Sequence, residues 1–321
     1  MTDEVEKVLE GKHGWLFLNN DTNRVISQIT GQFHDFDAAS VEALRSTIAE
    51  RAACIPAPYV FAVAPNKECV YADMLPDGIG LSEHRPIRQL MGVVDDIVYP
   101  LERMTRSDLR PDLYQKTDTH WNAQGAFLFA EAVLRRASEM GAPVEVPSLF
   151  DVSWSDKGLS PGDLGSKLSP QRTSTSYESR FDGLSFFLDY DNGINNRGLA
   201  RVYTSDKPLP TTAIMFCDSF GFFYLARILA RYIGKVICVR QASVDIDMVN
   251  RVQPDLVITE IVERFLVHRP RAFERLEDVI AGKIAEGLVS PAELAKMKAA
   301  GPDRFGIMPE STYRHLTALA A

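Results

Sequence analysis

The sequence contains no run of lysine and arginine residues that could follow a nucleic-acid backbone. Its 35 basic residues are outnumbered by 43 acidic ones, which gives a formal net charge of −8 at pH 7. Because nucleic-acid binding depends on basic residues that neutralise phosphates, this composition predicts that nucleic acid is not a partner. Mild acidity favours solubility and says little about a neutral or sugar-like ligand.

Long hydrophobic runs are also missing. Residues 220–234 come closest, but this stretch is short and is interrupted by Arg227 and Arg231, so we expect a buried helix and no membrane span. The first 18 residues include acidic side chains and lack the basic and apolar regions of a secretory signal. These features predict a cytoplasmic protein.

Cysteine is scarce, and no Cys-x-x-Cys pair joins the four cysteines, which are Cys54, Cys69, Cys217 and Cys238. Spacing typical of metal ligands is missing around five of the six histidines, which are His13, His34, His84, His268 and His315. The sequence therefore predicts free thiols and neither a metal nor another cofactor. Cys217 could be proposed as a nucleophile, but its apolar segment has no basic neighbour, which favours a buried structural thiol.

Short apolar segments alternate with helical patterns along most of the 321 residues. Residues 37–55 have the apolar spacing of a helix and lead into the apolar segment 59–64. Another helix is predicted to start at Asn122, a suitable N-cap residue. Further apolar segments, all predicted strands, are residues 213–217, 235–239 and 255–259. Continuous apolar strands separated by helices predict a parallel sheet covered on both faces.

Two segments depart from this alternation. Residues 144–206 are rich in Ser, Gly and Asp, and their short strand-like pieces predict a β-rich insertion beside the sheet. Residues 271–321 contain two more helical patterns and are interpreted as a C-terminal helical extension, suited to a cap or an oligomer contact. Residues 1–270 are then the main domain.

Ser219 stands at the junction between an apolar strand and an aromatic-rich helix. The carboxyl ends of parallel strands are where open α/β sheets bind ligands, and a helix start favours developing negative charge. A serine here is nevertheless more often a helix cap. Asp118 and His120 supply the acid and the base that a serine nucleophile needs, because an imidazole oriented by a carboxylate can take a serine proton.

Several segments resemble the sequence blocks of the SGNH hydrolases. Residues 217–220, Cys-Asp-Ser-Phe, resemble their Gly-Asp-Ser block, and residues 118–125 resemble their Asp-His block. The order is permuted, because here the Asp-His pair precedes the serine. That order, together with Gly-Lys-His-Gly-Trp-Leu-Phe-Leu at 11–18 and Pro-Gly-Asp-Leu-Gly at 161–165, resembles the alginate O-acetyltransferase AlgJ/AlgX-like (DHHW) family over roughly residues 11–270.

The resemblance implies a flavodoxin-like three-layer α/β/α fold with permuted block order. It also implies Ser219 as nucleophile, His120 as base and Asp118 as the residue that orients it. Cys217 replaces the glycine of the Gly-Asp-Ser block, and Arg264 falls where the family block has asparagine. The resemblance therefore does not identify the groups that donate hydrogen bonds to the oxyanion. The candidates are the Ser219 amide, Arg264 and the backbone near Gln241 and Ala242.

Asn66 and Trp121 are further candidates for substrate contact, against the alternatives of a turn residue and a core residue. Gly162 and Asp163 match a family segment that is also an ordinary turn, and we assign Asp163 no catalytic role. The implied function is a serine-dependent carbohydrate O-acetyltransferase that takes an acyl donor and a glycan acceptor, working beside glycan-assembly enzymes. The alternatives are a carbohydrate acetyl esterase with the same triad and a non-catalytic glycan-binding protein.

Overall fold

The computed structural model describes residues 7–19, 22–206 and 209–319. The strands are β1 (Val8–Glu10), β2 (Leu16–Leu18), β3 (Tyr59–Ala64), β4 (Ile97–Val98), β5 (Val152–Ser160), β6 (Ser174–Phe181), β7 (Phe186–Asp191), β8 (Ala200–Ser205), β9 (Thr212–Phe216), β10 (Lys235–Val239) and β11 (Leu256–Val262). The helices are α1 (Val25–Ile29), α2 (Ala38–Cys54), α3 (Lys67–Val70), α4 (Pro86–Met91), α5 (Leu101–Thr105), α6 (Ala123–Glu139), α7 (Gly162–Gly165), α8 (Ala226–Tyr232), α9 (Ile246–Val252), α10 (Leu276–Ala285), α11 (Pro291–Ala300) and α12 (Glu310–Leu319).

The central sheet has the strand order β4-β3-β11-β9-β10-β8-β7. Its first five strands are parallel, and β8 and β7 are added as antiparallel neighbours. Each of the four predicted strands is present, with bounds that differ by three residues or fewer. The parallel sheet expected from the apolar segments is therefore confirmed.

Alternating strand residues supply two hydrophobic cores, one on each face of the sheet. On one face, Val60, Met215 and Ile258 pack with residues of α6 and α8. On the other face, Phe61, Ile214 and their neighbours pack with α2, α9 and the C-terminal helices. Because successive side chains of a strand point to opposite faces, continuous apolar strands need cover on both sides. The predicted three-layer α/β/α architecture is confirmed.

Helix starts follow local side-chain chemistry. Asp37 caps α2 by accepting a hydrogen bond from the Ser40 amide at 2.9 Å. Asn122 stands at the predicted N-cap of α6 but makes no capping bond. Its side chain instead accepts from the Tyr177 amide and donates to the Asp112 carbonyl, so it ties α6 to two other segments.

The segment predicted as an insertion beside the sheet divides into two parts. Strands β5 and β6 form a separate antiparallel hairpin, with α7 in the connection between them. Strands β7 and β8 instead extend the central sheet, so the prediction is wrong for residues 186–205. In β8, Ala200 and Val202 are buried in one core and Tyr203 in the other, so this strand is covered on both faces.

Residues 220–234 contain a π-helical turn (Gly221–Leu225) followed by α8, and most of their apolar side chains are buried. The C-terminal segment forms α10 to α12, of which α12 lies where the sequence pattern is least regular. Across the described residues, no helix combines the length and the apolar character needed to cross a membrane.

Candidate active site

The Ser219 turn follows the carboxyl end of β9. The Cys217 amide donates to the Val239 carbonyl at 2.9 Å, which carries the strand pairing up to the turn. Asp218 then closes the turn, because its carboxylate accepts from the Phe220 amide at 2.7 Å and from the Val262 amide at 2.8 Å. These bonds fix the backbone on both sides of Ser219, which is half-buried.

Glu260, on β11, supports the same turn from below. It is 1% exposed, and its Oε2 accepts from the Gly221 amide at 2.9 Å and from the Asp218 amide at 3.3 Å. Burial, reinforced by the neighbouring charge of Asp218, raises the pKa of Glu260 well above its ordinary value. The amides of Asp218, Phe220 and Gly221 are thus all occupied, whereas no acceptor within the described ranges is assigned to the Ser219 amide.

Ser219, His120 and Asp118 are hydrogen bonded in series. His120 Nε2 lies 2.9 Å from Ser219 Oγ, and His120 Nδ1 lies 2.8 Å from Asp118 Oδ1. Asp118 Oδ1 also accepts from the His120 main-chain amide at 2.8 Å. The structure therefore brings together the three residues that the sequence analysis selected.

The charge of Asp118 decides the tautomer of the imidazole. Burial acts to raise the pKa of Asp118, but the hydrogen bonds and charge of His120, with the Asp163 amide, lower it to about 2. An ionised carboxylate can only accept, so His120 Nδ1 carries the proton. The lone pair of Nε2 then faces the Ser219 hydroxyl, which is the arrangement of a general base.

Two phenylalanines enclose the imidazole of His120. The ring centroid of Phe220 lies 4.9 Å away, and that of Phe223 lies 5.6 Å away in an edge-on arrangement. Phe223 is 47% exposed, which makes it a candidate substrate contact that the sequence analysis missed. The position of Phe223 could have indicated this role, because it lies four residues after Ser219 and helical residues with that spacing share a face.

Two predicted substrate contacts are corrected. Trp121 is 2% exposed, and its ring packs against Phe220 at 5.0 Å and Phe129 at 5.1 Å, so it is a core residue beneath the site. Asn66 is fully buried, and its Oδ1 accepts from the Arg264 amide at 3.2 Å. Asn66 therefore connects the turn after β3 to the segment after β11.

Arg264 remains a candidate ligand-binding residue. It is 6% exposed, and its guanidinium lies 5.1 Å from the centroid of the Phe220 ring. Among the described residues its guanidinium has no hydrogen-bond or ion-pair partner. The carboxyl groups of Glu68 and Asp218 are near enough for the charge of Arg264 to act on both, in the direction that lowers their pKa. Its N–H donors make no direct bond to either, so they are available to an anionic group of a ligand. Of the two backbone candidates nearby, the Gln241 amide is already donated to the Val239 carbonyl.

Lys67 lies under the loop that carries Asp118. Its Nζ lies within hydrogen-bond distance of four carbonyl oxygens, which share its three N–H donors: those of Leu16 (2.6 Å), Gln115 (2.9 Å), Lys116 (2.9 Å) and Asp118 (2.8 Å). Burial lowers the pKa of Lys67 to about 7, although three nearby carboxylates act in the opposite direction. Lys67 directly follows Asn66, and the sequence analysis assigned it no role.

One group of side chains has the size of a metal site. Ligand atoms of Asp118, His120 and Asp163 all lie within 4.8 Å of one another. Several of them already take part in hydrogen bonds, because Asp118 Oδ1 receives His120 Nδ1 and Asp163 Oδ1 receives the Thr119 amide at 2.6 Å. The internal hydrogen bonds account for this cluster without an ion.

A cleft of about 450 Å³ adjoins the Ser219 turn at Asp218. Phe265 and Ile261 line its apolar part, and the exposed Arg269 and Arg271 line its polar part. A cleft with an apolar wall and several polar groups is the usual form of a small-ligand site.

A parallel α/β/α sheet with a serine, an imidazole and a carboxylate hydrogen bonded at its carboxyl edge is the arrangement of an SGNH hydrolase-like protein. The chain belongs to the family described as the SGNH hydrolase-like domain of acetyltransferase AlgX, whose model matches residues 8–187, more than half of the chain. The resemblance inferred from the sequence is confirmed. The matched residues include Asp118, His120 and Asp163, whereas Ser219 lies beyond them.

Solved structures share the fold at low sequence identity. Bacillus cereus PatB1 with a sulfonyl adduct is 14% identical, with a TM-score of 0.57 over 81% of this chain and 95% of that one. A DHHW family protein from Eubacterium siraeum is 13% identical, with a TM-score of 0.58 over 85% of this chain and 97% of that one. No curated protein sequence matches the chain.

Proposed function

We propose that this protein is a carbohydrate O-acetyltransferase that carries the acetyl group on Ser219. The observation that carries the proposal is the 2.9 Å contact between His120 Nε2 and Ser219 Oγ, with the imidazole held by Asp118 on its other side. Membership of an acetyltransferase family supports acetyl as the transferred group. The non-catalytic alternative required these side chains to lie far apart, and they do not.

In the first half-reaction, Ser219 Oγ attacks the carbonyl carbon of an acetyl donor while His120 Nε2 takes the hydroxyl proton. The charged imidazole is stabilised by Asp118. The tetrahedral intermediate collapses as the bond to the donor breaks, and His120 returns its proton to the leaving group. In the second half-reaction, His120 takes the proton of a sugar hydroxyl, whose oxygen attacks the acetyl-Ser219 carbonyl. Collapse releases the acetylated sugar, and Ser219 Oγ regains its proton.

The negative charge of the two tetrahedral intermediates needs donors that are already in place. The Ser219 amide is the first candidate, because its neighbours' amides are occupied by the carboxylates of Asp218 and Glu260. Arg264 is the second, as a buried cation without a hydrogen-bonded partner among the described residues. The cleft beside Asp218 is lined by neither Ser219 nor His120, so it is a candidate for the part of an acceptor glycan that lies away from the reacting hydroxyl.

The test measures release of the chromophore from a chromogenic acetyl ester, with and without candidate glycans, followed by mass spectrometry of the Ser219 peptide and of the products. We expect acetyl-Ser219, and acetylated glycan where the acceptor is suitable. Ser219→Ala should lower kcat by roughly 10⁴-fold or more. His120→Ala should lose nearly as much, and Asp118→Asn less, because the imidazole survives in a poorer orientation.

Cys217→Ala is the matched control for Ser219→Ala. Burial raises the pKa of the Cys217 thiol well above its ordinary value, so this thiol stays protonated and should be dispensable. Unchanged turnover in Ser219→Ala, or turnover lost only in Cys217→Ala, would mean that the nucleophile is misassigned. Acetate released with every glycan tested, without acetylated product, would identify an esterase. Absence of both turnover and labelling by a sulfonyl fluoride would favour a glycan-binding protein.

A further inference from the structure

The connection between β5 and β6 packs against the loop that carries Asp118 and His120. We call residues 161–165 the clamp segment. The amides of Leu164 and Gly165 both donate to the Thr117 carbonyl, at 3.1 and 3.0 Å. Gly162 approaches the same loop so closely that an added Cβ would lie 2.5 Å from the Thr117 carbonyl oxygen. The clamp segment is therefore in direct contact with the main chain just before Asp118.

Asp163 makes the contacts that reach the triad itself. Its amide donates to Asp118 Oδ2 at 3.0 Å, on the carboxylate oxygen that His120 does not use. Its carboxylate accepts from the Thr119 amide at 2.6 Å and from the Thr119 hydroxyl. Thr119 separates Asp118 from His120 and is 6% exposed. Asp163 thus holds Asp118 through its amide and Thr119 through its carboxylate, and its Oδ2 lies 3.9 Å from His120 Nδ1.

We infer that Asp163 is a positioning residue for the proposed acetyl transfer, acting through Asp118 and Thr119 rather than on the substrate. The carboxylate of Asp118 is fixed in rotation, because one oxygen faces His120 and the other faces the Asp163 amide. Thr119 belongs to no helix or strand, so these bonds replace the support that regular structure gives elsewhere. Since misplacement of a catalytic group by about 1 Å can cost about 100-fold in rate, such support has a direct kinetic consequence.

The inference rests on the proposed function, and its experiment separates the two. Asp163→Ala removes both bonds to Thr119, whereas Asp163→Asn keeps an amide oxygen for the Thr119 main-chain donor. We expect kcat for an acetyl ester to fall about 10- to 100-fold in Asp163→Ala, with KM within twofold, because Asp163 does not bind the ester. Asp163→Asn should recover most of that loss.

Asp156→Ala is the matched control, because Asp156 is an exposed aspartate on β5 that accepts from the Gly158 amide, remote from the triad. It should leave kcat unchanged. If Asp163→Ala matched this control within twofold, or Asp163→Asn were as slow as Asp163→Ala, the positioning role would be refuted. Loss of activity with a chelator and recovery with a divalent metal would also overturn it, in favour of a metal held by the same side chains.

A readout independent of catalysis is hydrogen exchange at the Thr119 and His120 amides, which donate to Asp163 and Asp118. Exchange at both should be faster in Asp163→Ala than in Asp156→Ala, and equal rates would refute the clamp. If wild-type protein neither turns over nor labels, the proposed function fails while this measurement still decides the clamp. If Asp163→Ala does not fold, Thr119→Val removes the hydroxyl bond to Asp163 together with the 3.4 Å contact to His120 Nδ1, and an unchanged kcat there would contradict the inference.

Discussion

Replacing Gly162 by alanine tests how closely the clamp segment fits the triad. An added Cβ would lie 2.5 Å from the Thr117 carbonyl oxygen, 2.7 Å from Asp118 Cβ and 2.8 Å from Asp118 Oδ2. That carbonyl is held by the Leu164 and Gly165 amides, so it cannot turn away freely. The two segments would have to separate by about 1 Å to reach van der Waals distance.

The expected loss of unfolding free energy in Gly162→Ala has two parts. Gly162 has φ +60, and a residue with a Cβ costs about 1 kcal/mol in this left-handed region. Overpacking adds about 1–3 kcal/mol, so Gly162→Ala should lower the free energy of unfolding by about 2–4 kcal/mol. Displacement of Asp118 should also lower kcat, by up to about 100-fold.

Gly158→Ala isolates the backbone part. Gly158 has φ +94 in the same hairpin, but an added Cβ would meet nothing within 4 Å. This variant should lose about 1 kcal/mol and keep wild-type kcat. Urea unfolding followed by tryptophan fluorescence gives the stabilities, and acetyl-ester turnover gives kcat. Equal stability and equal kcat in the two variants would refute the close fit.

Three other predictions concern buried polar groups at the site. Lys67→Met leaves buried carbonyl oxygens without donors and should cost at least about 3 kcal/mol of unfolding free energy, against almost none for the exposed Lys116→Met. Because the pKa of Lys67 is lowered to about 7, the unfolded chain binds this proton more tightly, and the stability of wild type relative to Lys67→Met should rise from pH 7 to about pH 9.5 in urea unfolding. Arg264→Met should lower kcat by about 100-fold if the guanidinium meets the oxyanion, while a change in KM alone would assign it to substrate binding. Glu260→Gln should unfold within about 1 kcal/mol of wild type, because burial favours the neutral carboxyl and an amide oxygen can accept the same bonds. A larger loss would show that an ionised carboxylate is required.

The sheet and its layers were predictable because they depend on local hydrophobic patterns. The segment 59–64 is buried along its whole length, and such a continuous apolar strand can only lie between two layers. Ser219 was also within reach of sequence reasoning, since the end of an apolar strand before a helix is a recognisable position. Asp118 and His120 could be selected by residue type, but their contact with Ser219 could be expected only from the resemblance, because their spacing gives no information about a residue 99 positions away from His120.

The errors arose where burial depends on distant segments. Trp121 follows His120 directly and was expected beside the substrate, but its ring faces the core formed with Phe129 and Phe220. Strands β7 and β8 have the turn-rich composition of an insertion, although β8 pairs with β10 over five residue pairs. The residues of β7 and β8 do not by themselves show which strand each one pairs with, so their composition led to a prediction outside the central sheet.

The parallel sheet explains why a permuted chain can assemble this site. Ser219 follows β9 and Arg264 follows β11, so the sheet edge alone brings them together, whatever their order along the chain. Asp118 and His120 instead lie in an irregular loop before α6. Their placement depends on contacts from elsewhere, namely Lys67 below the loop and Asp163 beside it. The clamp segment, which connects the two strands of the separate hairpin, therefore positions Asp118 and His120, the two members of the triad that do not follow a strand of the sheet. Loosening the clamp segment should slow the reaction before it unfolds the protein.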